Sequence, residues 1–241
     1  FTQLRKQAGM SPDETVVCSQ QAFSKARAGI DHTIFKECFY RVLSVLCSPS
    51  SHEFHKRLGG LWGVQFIAID GSKIPLPNRE QLRSKYGGMG RDASSPTAIA
   101  SIAFDVLNER ILDAQLEPLC VDERTLAKRH MEAIKADERV DLLNSMFVFD
   151  RGYASENLIT FIEKKIRTRY LFRLRDKFSC IIDALPAPDD KEGIADQRIE
   201  LYEGVMVRVL RFYLPSGILE TLITNDFEHD KSMFKEYYFY R

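Results

Sequence analysis

The chain has 241 residues, of which 44% are hydrophobic, and this is enough for one large domain with a substantial core. Its 34 lysines and arginines balance its 34 aspartates and glutamates, so the formal net charge of +0 excludes a general basic coat for nucleic acid. No apolar run approaches the roughly 18 residues of a membrane span, so we expect no membrane partner.

The N-terminal region, residues 1–60, carries helix signals. "SPDE" at Ser11–Glu14 is a typical helix start, and Gly29 is a typical stop. Asp31 is placed to cap a second helix, whose apolar residues recur at helical spacing: Ile34, Phe35, Cys38, Phe39, Val42, Leu43 and Leu46. The motif "HEFH", at His52–His55, is one residue short of the zinc-binding spacing H-E-x-x-H, so we assign it no metal role.

The cysteines indicate the cellular setting. The chain has an odd number of cysteines, and no two of them have C-x-x-C spacing. They are Cys18, Cys38, Cys47, Cys120 and Cys180. This pattern is typical of a reducing, intracellular protein rather than of a disulfide framework or a zinc ribbon. Because the chain begins at Phe1, with neither Met nor a signal-peptide pattern, we expect a fragment of a longer cytoplasmic protein.

From residue 61 onward, the pattern alternates between strands and helices. Strands are predicted at Val64–Asp70, Ser145–Asp150 and Tyr170–Leu174, at Ala98–Pro118 as two strands around Asn108, and as a hairpin of Arg198–Tyr213 with Gly217–Thr224. Helices are predicted at Glu123–Lys135 after an Asp122 cap, from a Ser155 cap to about Ile166, and from Asp230. This order predicts an α/β domain over residues 61–241, with a mixed sheet flanked by helices and a β-rich insertion at about 176–225.

Two predicted strands end in an aspartate. "FIAIDGSKIP" (66–75) places Asp70 after an apolar run, and "FVFDRGYAS" (147–155) does the same for Asp150. If the strands are neighbours, the carboxylates converge and repel each other unless a cation lies between them. Oxygen ligands of this kind suit Mg²⁺ or Mn²⁺ in two-metal phosphoryl transfer. Each aspartate also has an ordinary structural interpretation, since Asp-Gly after a strand is a common turn and Asp before a helix is a common cap.

These residues carry a resemblance to a known family. "AIDGSKI" (68–74), "FDRGYAS" (149–155) and "LITND" (222–226) resemble the three strand-end signatures of DDE transposases of bacterial insertion sequences, in the Tyr-Arg-Glu-Lys signature group. The resemblance extends from about Val64 to Arg241 and implies a ribonuclease-H-like core. It also implies that DNA is cut at the element's ends by metal-activated hydrolysis, and that the freed 3′-hydroxyl attacks target DNA. The partners implied are DNA and a second copy of the chain in a homodimer, in the cytoplasm of a bacterium at the nucleoid.

The resemblance assigns roles to particular residues. Asp70 and Asp150 match the first two metal-binding acids, and Tyr238 and Arg241 match the Tyr-x-x-Arg signature that contacts DNA. The family's third acid is expected four residues after Arg241, beyond the given sequence. We therefore expect residues 1–241 alone to bind divalent metal poorly and not to cut DNA.

Several cations are candidates for contact with DNA. Arg151 and Tyr153 follow Asp150, where they either contact the phosphate backbone or only pack and cap. The segment "KKIRTRYLFRLRDKF" (164–178) contains seven lysines and arginines, among which Arg173 and Arg175 are predicted to share one strand face. The alternative is a solvated helix end with charges that protect an edge strand. Lys85 and Arg91 are further candidates in a Gly-rich loop, which lacks the G-K-[ST] of a nucleotide-binding loop.

Two other functions remain open from the sequence. One is an unrelated metal-dependent nuclease or phosphatase, although the Asp-x-Asp pattern of one large phosphatase class is absent because Gly71 and Ser72 follow Asp70. The other is a non-catalytic, DNA-binding remnant of a transposase.

Overall fold

The computed structural model of the chain describes residues 19–46, 63–137, 140–202 and 204–239. They belong to two compact units, one ending at Leu46 and one running from Cys47 to Arg241. Several sequence predictions lie outside the described residues: the helix start at Ser11–Glu14, the cysteines Cys18 and Cys47, the His52–His55 motif and Arg241. The described cysteines Cys38, Cys120 and Cys180 are free and exposed.

Within residues 19–46, the first unit contains two helices. Helix α1 (Gln20–Ala28) begins where the Ser19 side chain accepts a hydrogen bond from Ala22 N at 3.1 Å, and it ends at Gly29 as predicted. Helix α2 (Thr33–Leu46) is capped by Asp31, which accepts a hydrogen bond from Thr33 N at 2.9 Å. The predicted cap at Asp31 is therefore confirmed.

The second unit contains nine strands and five helices among its described residues. The strands are β1 (Gln65–Pro75), β2 (Gly88–Met89), β3 (Ser95–Asp105), β4 (Arg110–Pro118), β5 (Ser145–Phe149), β6 (Arg169–Arg173), β7 (Ile194–Tyr202), β8 (Val205–Tyr213) and β9 (Leu219–Thr224). The helices are α3 (Glu80–Tyr86), α4 (Glu123–Lys135), α5 (Glu156–Phe161, continued by a π-helical turn at Ile162–Ile166), α6 (Cys180–Asp183) and α7 (Lys231–Phe239). Across the described ranges, no helix combines the length and apolar character that crossing a membrane requires.

All nine strands join one mixed sheet. Its order is β2-β3-β1-β5-β6-β9-β8-β7, and β4 also pairs with β3. Strands β1, β5 and β6 are parallel, whereas β3 and β4 at one side and β7, β8 and β9 at the other are antiparallel. The predicted mixed α/β sheet is confirmed, and the β-rich insertion extends this sheet through β9, which pairs with β6.

The prediction of one strand at Arg198–Tyr213 was wrong. This stretch forms the end of β7 and all of β8, which pair with each other as a tight antiparallel hairpin. The turn lies at Gly204, whose φ of +72° is a conformation that glycine adopts without strain. The second hairpin, β8 with β9, turns at Pro215–Gly217 as predicted.

The two faces of the sheet are covered by different helices. On one face, Ile67 and Ile69 of β1 belong to a core cluster with residues of α4 and α5. On the other face, Phe66 belongs to a cluster with Phe234 and Tyr237 of α7. Alternate residues of β1 thus enter opposite cores, as the two-residue period of a strand requires.

Arg208 of β8 ties the insertion to the segment before α7. Its side chain is 7% exposed, and it donates to both carboxylate oxygens of Asp196 at 2.9 and 2.6 Å. It also donates to the carbonyls of Asp226 at 3.2 Å and His229 at 2.6 Å. The hydrogen bond to Asp196 raises the pKa of the guanidinium by more than burial lowers it, so Arg208 remains charged.

We predict that Arg208→Ala lowers the free energy of unfolding by about 3–5 kcal/mol, because a largely buried carboxylate and two carbonyls lose their donor. The control is Arg198→Ala, since Arg198 is exposed and makes one hydrogen bond, to the Phe227 carbonyl. Its loss should cost less than about 1 kcal/mol. Urea denaturation measures both, and equal losses would contradict a stabilising role for the Arg208 contacts.

Candidate active site

Asp70 and Asp150 occupy equivalent positions on neighbouring parallel strands. In the β1–β5 pairing, Gln65 lies opposite Ser145 and Ala68 lies opposite Val148. The pairing ends there, and Asp70 and Asp150 share its offset two residues further on, Asp150 just after the last residue of β5. Asp70 is exposed and the Asp150 side chain is 44% exposed, so both carboxylates are open to solvent.

The turn interpretation of Asp70 was wrong. Strand β1 does not end there but continues to Pro75, because β3 pairs with it as far as Thr97. Gly71 lies within this ladder, opposite Ser101, and makes no turn. Asp70 therefore lies at the point where β1 has left β5 but is still held by β3.

The cap interpretation of Asp150 was also wrong. The N-cap of α5 is Ser155, whose side chain accepts a hydrogen bond from Leu158 N at 3.3 Å. Asp150 instead accepts one from the backbone N–H of Arg151 at 2.7 Å, within the turn that follows β5. Asp150 is thus the first residue of a turn closed by the Tyr153 N–H, which donates to the Asp150 carbonyl at 3.0 Å.

Glu123, which sequence reasoning missed, lies beside Gly71, the residue that follows Asp70. It is the first residue of α4, and a methyl group at Gly71 would lie 3.5 Å from its Oε1 atom. The sequence gave no signal for this proximity, because an acid in the first turn of a helix is common for electrostatic reasons alone.

Tyr153 is buried near several acidic side chains. Its side chain is 2% exposed, and its ring lies 5.6 Å from the ring of Phe149 in the core. Burial raises the pKa of its hydroxyl, and so do four nearby carboxylates, which we call the acidic cluster: Glu123, Asp70, Asp122 and Asp150. A contact of this hydroxyl with DNA would require the side chain to leave the core, so the structure places Tyr153 as a packing residue.

The donor set of the site fits a magnesium-like ion only in part. Within the ranges that the structure describes, no three His, Cys, Asp or Glu side chains are grouped so that they could hold a metal ion. Mg²⁺, however, commonly binds through one or two carboxylates and keeps several waters or substrate phosphates. Asp70 and Asp150 would supply those two carboxylates.

Two arginines lie beside Asp150 and share one buried glutamate. Glu220 of β9 is fully buried, and its Oε2 atom accepts hydrogen bonds from Arg151 at 3.0 Å and from Arg173 at 3.0 Å. The Nη1 atom of Arg173 also lies 3.8 Å from Oδ1 of Asp150. We call Arg151 and Arg173 the arginine pair. Because they share an acceptor that cannot reach water, their positions next to Asp150 are fixed.

The electrostatic balance keeps Arg173 charged. Burial lowers the pKa of its guanidinium. The hydrogen bond to Glu220 and the charges of Glu220 and Asp150 together raise that pKa by a larger amount, so it lies above its ordinary value. The ring of Tyr238, on α7, lies 5.2 Å from this guanidinium. Tyr238 therefore lies beside the arginine pair.

The basic segment 164–178 is not one continuous stripe. Lys165 pairs with Glu132, and Arg169 pairs with Glu228 at 3.3 Å. The remaining exposed cations of the segment are Lys164, Arg167, Arg175 and Lys177. Arg173 belongs to β6 and contacts Glu220, whereas Arg175 lies beyond the strand end, so the two have different surroundings. Lys85 and Arg91 are both exposed.

The chain matches the transposase DDE domain family over residues 62–237. No curated protein matches it. Similar solved structures include a piggyBac transposase synaptic complex with hairpin DNA, at 9% identity and a TM-score of 0.46, with 72% of this chain and 37% of that chain covered. Argonaute of Marinitoga piezophila with a 5′ OH guide RNA is similar at 15% identity and a TM-score of 0.34, with coverage of 75% and 26%. The NurA nuclease of Sulfolobus solfataricus follows at 10% identity and a TM-score of 0.35, with coverage of 86% and 85%. The chain thus spans little more than a third of the piggyBac transposase chain.

We predict that Glu220→Ala lowers the free energy of unfolding by about 2–4 kcal/mol, because two neighbouring guanidinium groups lose their shared carboxylate. The estimate is below that for a fully buried pair, since Arg151 is 38% exposed. Glu228→Ala is the control, because Glu228 is 81% exposed and pairs with Arg169 at the surface. Denaturant unfolding should separate the two variants, and a loss below about 1 kcal/mol for Glu220→Ala would contradict the assignment.

Proposed function

The chain belongs to the transposase DDE domain family, and we propose that it cuts and joins DNA at the ends of a mobile element by divalent-metal-dependent phosphoryl transfer. The proposal includes an origin in a bacterial insertion sequence of the Tyr-Arg-Glu-Lys signature group and action as a homodimer on DNA. It also includes a ribonuclease-H-like fold, which the mixed order β4-β3-β1-β5-β6 supports.

One observation carries the proposal beyond family membership. The parallel register of β1 and β5 ends at Ala68 and Val148, and its continuation by two residues would align Asp70 with Asp150 at an edge open to solvent. Because neighbouring strands lie about 4.8 Å apart, this alignment would bring the two carboxylates within reach of a shared ion. We assign Asp70 and Asp150 as ligands of Mg²⁺ or Mn²⁺, which when bound would activate the attacking hydroxyl and stabilise the leaving oxygen.

The arginine pair has a separate role in this proposal. A DNA phosphate that approaches the acidic cluster meets like charge, and cations next to Asp150 offset that repulsion. Arg173 lies 3.8 Å from Asp150, and Glu220 holds Arg151 and Arg173 so that little ordering is needed when the phosphate arrives. Tyr238 packs on Arg173, which fits a role of the Tyr-x-x-Arg signature in the same phosphate site.

Contacts with the rest of the DNA are assigned to exposed cations of the basic segment. Arg175 and Lys177 follow the end of β6 that is nearest Asp150, whereas Lys164 and Arg167 precede its start. Because the chain has no net charge, affinity for DNA depends on such local groups and falls steeply with salt.

A second function, left open by the sequence, is a DNA-binding remnant that no longer cuts. Cleavage assays distinguish the two functions, provided that the chain tested includes the third acid expected four residues after Arg241. Family membership removes the support for an unrelated phosphatase or nuclease.

We predict that Asp70→Asn and Asp150→Asn each reduce Mg²⁺-dependent cleavage of element-end DNA by about a thousandfold or more, since each removes a metal ligand. DNA affinity should change little, because phosphate contacts come mainly from cations. Asp189→Asn is the control, since it makes the same charge change in an exposed loop. Mn²⁺ binding, measured by titration, should be lost in the same two variants. Full cleavage by either variant would disprove the metal assignment.

We predict that Arg175→Ala reduces the slope of log affinity against log salt by about one unit for duplex DNA, while cleavage of bound DNA persists. Arg173→Ala should reduce cleavage of bound DNA, because Arg173 lies beside Asp150. Arg198→Ala, on β7, is the control for loss of a surface charge. Unchanged slopes would show that Arg175 makes no phosphate contact.

A further inference from the structure

A chain of buried polar side chains lies behind Asp70. Asp113 of β4, His130 of α4 and Ser101 of β3 are 4%, 0% and 1% exposed. Nδ1 of His130 lies 2.6 Å from Oδ2 of Asp113, and Nε2 lies 3.0 Å from Oγ of Ser101. The chain ends on β1, where Ser101 donates to the carbonyl of Asp70 at 3.2 Å.

The proton positions follow from the chemistry of the last acceptor. A carbonyl oxygen can only accept, so the single hydroxyl proton of Ser101 points at Asp70. Ser101 Oγ must then accept the proton on Nε2 of His130, which leaves Nδ1 to share a proton with Asp113.

The order Ser-His-Asp resembles a hydrolytic triad, but the geometry excludes one. A nucleophilic serine needs an exposed Oγ whose proton passes to the histidine. Ser101 is 1% exposed in the middle of β3, and its proton is directed to Asp70 instead. The chain thus acts on a neighbouring backbone group and not on a substrate.

The backbone at Asp70 needs such support for two reasons. Strand β1 is paired with β5 only as far as Ala68, so beyond that residue it is held on the β3 side alone. The next residue, Gly71, has no side chain to restrict its backbone. The peptide between Asp70 and Gly71 lies in this one-sided stretch, and its carbonyl is the group to which Ser101 donates.

We propose that Asp113, His130 and Ser101 are positioning residues that fix this peptide and thereby keep the Asp70 carboxylate opposite Asp150. The inference rests on the proposed metal role of the two aspartates. It connects α4 and β4, which are remote in sequence from Asp70, to the geometry of the site.

The test compares Ser101→Ala with Ser145→Ala. Ser145 is likewise fully buried and donates to a backbone carbonyl, that of Asp141 at 2.6 Å, but it lies at the opposite end of β5 from Asp150. Both variants should lose similar stability. Only Ser101→Ala should weaken Mn²⁺ binding, by about three- to tenfold, and speed amide hydrogen exchange at Gly71 by a similar factor, which is the worth of one hydrogen bond.

A second variant tests whether the chain acts as a unit. His130→Asn should weaken Mn²⁺ binding as Ser101→Ala does, and the double variant should add little to either, because both break the same connection. Additive losses would overturn the proposal. In the unmodified chain, nitrogen NMR should show a proton on Nε2 of His130, and an unprotonated Nε2 would also overturn the proposal.

The outcomes separate this inference from the proposed function. If the unmodified chain binds Mn²⁺ and Ser101→Ala matches Ser145→Ala in binding and exchange, the positioning role is wrong and the metal site stands. If a chain that includes the third acid expected after Arg241 neither binds Mn²⁺ nor cuts DNA, the proposed function is wrong. Exchange at Gly71 then still decides whether Ser101 fixes the backbone.

Discussion

The parallel pairing of β1 with β5, and the place where it stops, is the constraint on which the candidate site depends. Up to Ala68 and Val148 the strands are held side by side by a regular ladder. Beyond that point β5 ends and β1 continues alone with β3, which opens the edge at which Asp70 and Asp150 face solvent. Had β5 continued as far as β1, a further strand backbone would occupy this space. The site is therefore a consequence of unequal strand lengths.

Charge is separated locally in a chain whose formal net charge is +0. The acidic cluster surrounds Tyr153, while the arginine pair lies on the other side of Asp150, held by Glu220. Burying a carboxylate is costly unless donors satisfy it, and two guanidinium groups donate to Oε2 of Glu220. The same hydrogen bonds hold Arg151 and Arg173 beside Asp150. Asp150 and Arg151 are adjacent in the chain, so a negative and a positive side chain lie next to each other at the candidate site.

Local signals in the sequence predicted the elements whose ends are set locally. The predicted bounds of α4, Glu123–Lys135 with an Asp122 cap, are those observed, because capping is decided within one helical turn. The length of β1 was not predictable in this way, since it depends on pairing with β3 about thirty residues later. The turn at Gly204 was missed because the flanking residues keep the alternation of a single strand. A lone glycine was the only local signal.

The proposed site residues show the same difference between local sequence signals and contacts between distant elements. Asp70 and Asp150 were found because each follows an apolar run, which is a local pattern. Glu220 and His130 carry no such pattern, and their roles arise from contacts between elements far apart in sequence.

Glu220 shows most clearly why this distinction has functional consequences. It comes from β9, a strand of the β-rich insertion, yet it fixes two arginines beside an acid of the central sheet. The insertion therefore contributes to the electrostatics of the site through the sheet that it extends, and its register with β6 determines where the arginine pair lies.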